Sequence, residues 1–268
     1  MRRNKALSSI VLSIGSLMGL VAFTWPLYLP KSEIFLFQPE AARSFAIIIA
    51  LIAVGIVAID ISQGALDSKA VALLGVLSAL IAALRLVGAG AVGIEPMWFL
   101  LIISAYVFGA KFGFSLGVIA MGISALITGG IGPWLPFQML AAGWIGIASG
   151  TISKISHKFH LRIQIASLIF IGLISSLAFG LLMDLQLWPW IASTDTQLSY
   201  IPGGAIFDNF QRFMVFHLAT ALAWDIPRAI TTSLLIAISA RPLLHSLRRA
   251  QLRLNFTLHA KEQMASAR

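Results

Sequence analysis

The sequence predicts an all-α fold, a polytopic membrane bundle of about eight spans with a six-span core, and three observations carry that prediction. Hydrophobic side chains make up 59% of the 268 residues against 11% charged, and the mean hydropathy is +0.92, more apolar surface than one water-soluble core can hide. Apolar runs long enough to cross a hydrocarbon core recur along the whole chain. The few ionisable residues gather between those runs instead of forming the polar faces of amphipathic helices.

The first run, at about 7–29, follows Met1-Arg2-Arg3-Asn4-Lys5 and ends in TWPLYLP. Its length of about 20 apolar residues, its aromatic anchors and its lack of a small-x-small cleavage site make it a retained span rather than a leader. Runs at about 44–62 and 70–88 follow. Those at about 96–110 and 112–128 are short and joined through YVFGAKFGF, where Lys111 between two glycine-containing aromatic clusters reads as a tight interfacial turn. The next two lie at about 137–153 and 163–183, and residues 184–212 read as a long outer connection, a lid with Trp188, Pro189, Trp190 and a Pro202-Gly203-Gly204 turn. The last run, at about 213–240, would measure roughly 42 Å against a core of about 30 Å. A break at Pro227 is therefore expected, with Asp225 capping the new helix and 213–224 left as a separate outer or re-entrant helix.

Charge gives the orientation. With both termini cytoplasmic, 14 of the 19 lysines and arginines fall in inner segments, and Glu33, Glu40, Glu95, Asp184, Asp195, Asp208 and Asp225 fall outside or toward the outer half. The net charge of +9 thus speaks of a plasma-membrane protein and its orientation, not of nucleic acid. The tail Arg248-Arg249-Ala250-Gln251-Leu252-Arg253 suits anionic headgroups or an acidic partner, beside a solvated, topology-setting role. The chain divides into two additional N-terminal spans (1–66), a six-span core (67–250) and a basic cytoplasmic tail (251–268).

Catalytic and nucleotide signatures are missing: the sequence holds no GxxxxGK[ST], HExxH or GxSxG motif, no carboxylates at metal-ligand spacing and no cysteine. No catalytic residue, metal or cofactor is expected. His157, His160, His245 and His259 fall on the inner rim or tail, and His217 stands alone near the start of the last run. The polar groups in apolar surroundings are the candidates. Pro133 and Pro136 with Trp134, Gln138 and Trp144 mark either a cavity-lining segment or a helix entrance with interfacial tryptophans. Asp225 and Arg228, three apart, form an orienting ion pair or face a ligand. Arg85 is read as snorkelling to the interface. Gly75, Ala79 and Ala83 recur every four residues as a small-residue stripe, whose commoner meaning is packing against the chain's own helices.

Together GxGPWLPFQMLAAGWxGxxSG at 130–150, WDIPRAxT at 224–231 and RPLLHSLRRA at 241–250 resemble the S-component, the substrate-binding membrane subunit, of energy-coupling factor transporters in the version with extra N-terminal spans. The resemblance covers about 70–250. It implies an outward-opening, vitamin-sized pocket and a subunit that topples in the bilayer, driven by a coupling transmembrane subunit and two cytoplasmic ATPases. It further implies a pocket drawn from the outer halves of the later spans, where Trp134, Gln138, Asn209, Asp225 and Arg228 fall. Ala79-x-x-x-Ala83 resembles the family's AxxxA contact with the coupling subunit. A vitamin or related micronutrient is the expected substrate, cobalamin-type cofactors first because a long aromatic lid suits a bulky ligand. The alternative, a membrane-embedded enzyme acting on a lipid or prenyl substrate, is poorly supplied by a lone Asp225 and scattered carboxylates. An envelope assembly protein would have no use for aromatic pocket segments.

Overall fold

The computed structural model describes residues 2–27, 39–62, 68–88, 92–191 and 196–266, and all regular structure among them is helical. The order is α1 (Arg2–Thr24), a 3₁₀ turn (Trp25–Leu27), α2 (Pro39–Ser62), α3 (Ser68–Val87), α4 (Met97–Phe108), α5 (Ala110–Thr128), α6 (Leu135–Ser156), α7 (Leu161–Ile191), α8 (Ile206–Thr220) and α9 (Leu222–Ser266). Among the described residues α1, α3, α5, α6, α7 and α9 contain stretches long and apolar enough to cross a membrane, with shorter apolar stretches in α2 and α4. Helix is the form such sequences must take, because lipid leaves backbone donors and acceptors no partner but each other. The expectations placed on Lys31, Glu33, Glu40, Arg43, Asp195, Lys261 and Arg268 fall outside the described side chains.

At the centre stands α4. Its sequence MWFLLIISAYVF has no polar side, and ten of its 12 residues are buried. The tight turn expected after it is a single residue, Gly109, whose φ of 94° suits glycine.

Two seams of small residues hold the neighbours together. Between α5 and α6 the backbones touch: a Cβ at Gly146 would overlap Gly113, one at Gly117 would overlap Ala142, and one at Gly150 would overlap Gly109 and Ala110. The glycine-rich half of the 130–150 motif is thus a packing face, which lets helices approach where lipid offers no hydrophobic drive. Between α7 and α9, Gly172 lies against Thr232 and Ile236 and Gly180 against the Asp225 carboxylate, while the carbonyl of Ser176 between them accepts a hydrogen bond from Arg228. The N-terminal helix is stapled to α6. Trp144 Nε1 donates to Ser16 Oγ at 3.1 Å, and Phe23 packs on Phe137 and Trp144 with centroids 5.0 and 5.5 Å away.

The structure corrects the reading of 184–240. Helix α7 continues through Pro189 to Ile191, and α8 begins at Ile206, so about half of the expected lid is helical. Packing overrides the proline: Trp188 is fully buried and its indole donates to Leu198 O at 2.7 Å, which fixes the last turns of α7. The break before the last helix falls at Ala221, not Pro227. Pro227 lies inside α9, and Asp225, within the first turn, gives its carboxylate to Arg228 instead of capping a helix. The corner at Ala221 follows from α8 being held to α7, since His217 and Thr220 both bond Asp184.

The α5–α6 seam yields a direct contrast. Gly146→Val should cost about 1–3 kcal/mol or more through overpacking, whereas Gly75→Val, at a position with nothing within 4 Å of the added Cβ, should leave the fold intact. Thermal unfolding of both purified variants in one detergent checks the difference.

Candidate binding site at the acidic end of the bundle

One end of the bundle carries the α3–α4, α5–α6 and α7–α8 connections together with Glu95, Asp184, Asp208 and Asp225; the other carries Lys154, Lys158, Arg162, Arg241, Arg248 and Arg249. The acidic end holds a buried ionic cluster around Arg228. Its Nε donates to Glu95 Oε2 at 2.7 Å, and its Nη1 donates to Asp225 Oδ1 at 2.6 Å and to Ser176 O at 3.2 Å. The guanidinium also lies 5.1 Å from the centroid of the Phe179 ring, a cation–π contact strengthened by desolvation.

Each element delivers one part. Gly93, with a φ of 66°, lets the 92–96 connection lie against Trp224 and Pro227 of α9, which brings Glu95 to Arg228. Trp98 Nε1 donates to Glu95 Oε2 at 2.6 Å, and its ring packs on Phe179 at 4.6 Å. Gly180 makes room for the Asp225 carboxylate. Asp225 Oδ2 is buried without a hydrogen-bond partner, a demanding position for a carboxylate oxygen. Nearby, His217 Nδ1 lies 2.9 Å from Asp184 Oδ2, so His217 is not alone as the sequence suggested. Asp184 and His217 are within electrostatic reach of Asp225.

A second cluster is centred on Arg85. Its Nη1 donates to Ser124 Oγ at 2.7 Å and its Nη2 to Gln138 Oε1 at 3.1 Å. Arg85 therefore does not snorkel as expected: it turns inward to polar partners on α5 and α6. Glu95 is within its electrostatic reach.

The chain matches ECF transporter, substrate-specific component, over residues 69–240. It belongs to that family. No curated protein and no solved structure matches it comparably. The family is one of transporter components rather than enzymes, and the protein is a multi-pass, substrate-specific membrane uptake subunit of the kind that works with a membrane coupling subunit and ATPases.

In this ECF component the candidate residues fall in distinct places. Asp225 and Arg228 pair with each other, and Gln138 pairs with Arg85. Trp134 remains 41% exposed, its ring folded over Gly132 at the start of α6. Trp144 points to α1. Asn209 is buried and clamps the loop before α8, its Oδ1 accepting from Ile201 N at 3.0 Å and its Nδ2 donating to Ile201 O at 2.8 Å. Among the described residues no His, Asp or Glu cluster could hold a metal. The sequence reading missed Glu95, Trp98, Phe179 and Ser176. A signal was present in Glu95-Pro96 at a span entrance and in Gly172, Ser176 and Gly180 at four-residue spacing.

An aromatic cap closes this end. Trp188 meets Tyr200 at 5.2 Å and Phe213 at 5.5 Å, and Trp25 meets Trp190 at 5.9 Å and Tyr200 at 6.3 Å. Burial pushes the Tyr200 phenol up to about 12. Trp25 lies outside the matched region, so a segment beyond the family match contributes to the cap.

On the flank of α3, Ala72, Gly75, Ala79 and Ala83 are exposed, whereas Leu74, Leu77, Ser78, Ile81 and Ala82 face the bundle. The stripe is therefore not covered by the chain's own described helices, contrary to the commoner expectation.

Arg228→Ala would leave two carboxylates beside it without their cation. We expect it to destabilise the protein by about 3–5 kcal/mol, read as a lower unfolding temperature of the purified variant. Asp225→Asn, which keeps a hydrogen-bond acceptor for Arg228, should cost clearly less.

Proposed function

We propose that this component captures a vitamin-sized micronutrient at its acidic end, facing outward, and releases it inward when its coupling subunit and two ATPases topple it in the bilayer. The observation that carries the reading is the presence of two polar clusters in the apolar bundle, Arg228–Glu95–Asp225 and Arg85–Gln138–Ser124. Such costly polar groups inside an apolar bundle are functional candidates, and they sit beside aromatic walls able to hold a planar ligand. The excess of lysine and arginine at the opposite end supports the outward direction and cytoplasmic termini. Within this reading the two N-terminal spans (1–66) steady the cap, the six-span core (67–250) holds the pocket, and the tail (251–268) stays in the cytoplasm. A cobalamin-type cofactor is the first substrate to test, because the cap of Trp25, Trp188, Trp190 and Tyr200 suits a bulky ligand. Trp134, Gln138, Asp225 and Arg228 line the pocket in this reading, with Trp144 and Asn209 supporting it through their contacts to α1 and to Ile201. The exposed Gly75, Ala79 and Ala83 face is the contact for the coupling subunit.

Equilibrium binding to a vitamin panel that includes cobalamin tests the pocket. Gln138→Leu and Trp134→Ala, each confirmed as folded, should weaken binding of the ligand by roughly fivefold or more, the loss of about 1 kcal/mol. Unchanged affinity in both would move the pocket elsewhere.

The partner face is tested separately. Ala79→Leu and Ala83→Leu should abolish co-purification with the coupling subunit while ligand affinity of the isolated chain stays within about twofold, since a bulky side chain blocks close helix approach. Assembly that survives while binding falls would reverse the assignment.

A further inference from the structure

At the basic end a cavity of about 700 Å³ opens between the start of α7 and the face of α9, lined by Arg241, His245, Arg248 and Arg249 with Leu161, Pro242, Leu244 and Leu252. Spacings of three and four along α9 put 241, 245, 248, 249 and 252 on one side of the helix. Four basic groups line it and no carboxylate does. Among the described residues the three ion pairs lie at the other end of the bundle, and none involves Arg241, Arg248 or Arg249.

One of these cations is held in place. Gln164, 6% exposed, donates through Nε2 to His157 O at 3.1 Å and Phe159 O at 2.8 Å, and its Oε1 accepts a hydrogen bond from Arg248. A merely solvated basic rim would need neither this buried bracket nor apolar walls. The depth is also informative. Lys158 and Arg162 beside the start of α7 and Arg241 to Arg253 on α9 gather the basic side chains at this end of two apolar helices, the pattern found where spans meet the headgroups.

We propose that this cavity binds the headgroup of an anionic phospholipid from the leaflet at the basic end. The phosphate sits among Arg241, Arg248 and Arg249, against the apolar wall that Leu161 and Pro242 give the cavity. Charge complementarity supplies the anion, since like charges gathered without a counter-ion favour one. The apolar walls select the source: a free phosphate gains nothing from them, whereas the glycerol and first methylenes of a lipid pack against them. The site is independent of the pocket proposed at the acidic end.

The test uses the purified full chain in neutral detergent, with thermal unfolding followed as dioleoyl-phosphatidylglycerol, dioleoyl-phosphatidylcholine or inorganic phosphate is added, and with native mass spectrometry for bound lipid. The variant is Arg241→Gln with Arg249→Gln; neither residue has a hydrogen bond or ion pair in the described structure, and the Arg248–Gln164 bracket is kept. The expected result is stabilisation and retention by phosphatidylglycerol alone, weakened roughly tenfold or more in the double variant, whose unfolding temperature without lipid matches the parent. Equal stabilisation by phosphatidylcholine, or an undiminished response of the double variant, would overturn the site. Full stabilisation by inorganic phosphate would overturn the lipid as its occupant. So would a double variant that fails to bind the coupling subunit while neither protein responds to phosphatidylglycerol, because the arginines would then serve a protein carboxylate.

Discussion

A guanidinium placed where water is scarce dictates its surroundings, and Arg228 does so for one whole end of this bundle. Its three acceptors come from three segments: Glu95 before α4, Ser176 on α7 and Asp225 on α9 itself. Charge burial in a low-dielectric region is tolerable only when partners are close and well aimed, so the backbone has been shaped to deliver them. Gly93 adopts a positive φ to lay its connection on α9, and Gly180 gives up a side chain so that Asp225 fits. These glycines are intelligible only through the charge they serve.

The same dependence explains what could be read without coordinates. The spans were legible because hydrophobicity and length are local properties, and the Gly109 turn and the Pro202-Gly203-Gly204 turn were legible because glycine and proline act within a few residues. Gly204 N donates to Ile201 O at 3.0 Å with Gly203 at a φ of 70°, as such a turn requires. Arg85 was misread because its position near a helix end is equally compatible with solvent and with Ser124 and Gln138, 39 and 53 residues away. The corner at Ala221 eluded the sequence for a similar reason. Proline at 227 is the louder local signal, but the decisive bond is the long-range one between His217 and Asp184. Of the candidate site, the Asp225–Arg228 pair was visible from its spacing, and the remainder of the cluster was not.

The N-terminal helices belong physically to the rest of the protein. Ser16 is hydrogen-bonded to Trp144, and Trp25 reaches the aromatic cap formed with the far end of α7. A segment outside the family match thus touches both the 130–150 motif and the residues that close the acidic end. Its contacts are aromatic and directional, which ties the position of the cap to the position of α1.

Helix α4 has a mechanical consequence. Twelve residues at 1.5 Å each reach only about 18 Å, well short of a hydrocarbon thickness of about 30 Å. Sheathed by its neighbours, it never has to match the lipid. Its first turn adjoins the Glu95–Arg228 cluster, while Phe108 and Gly109 at its other end line a cavity of about 520 Å³ on the basic side. The Glu95–Arg228 cluster on one face and this recess on the other are therefore only about three turns of α4 apart, which makes this short helix the measure of the distance between them.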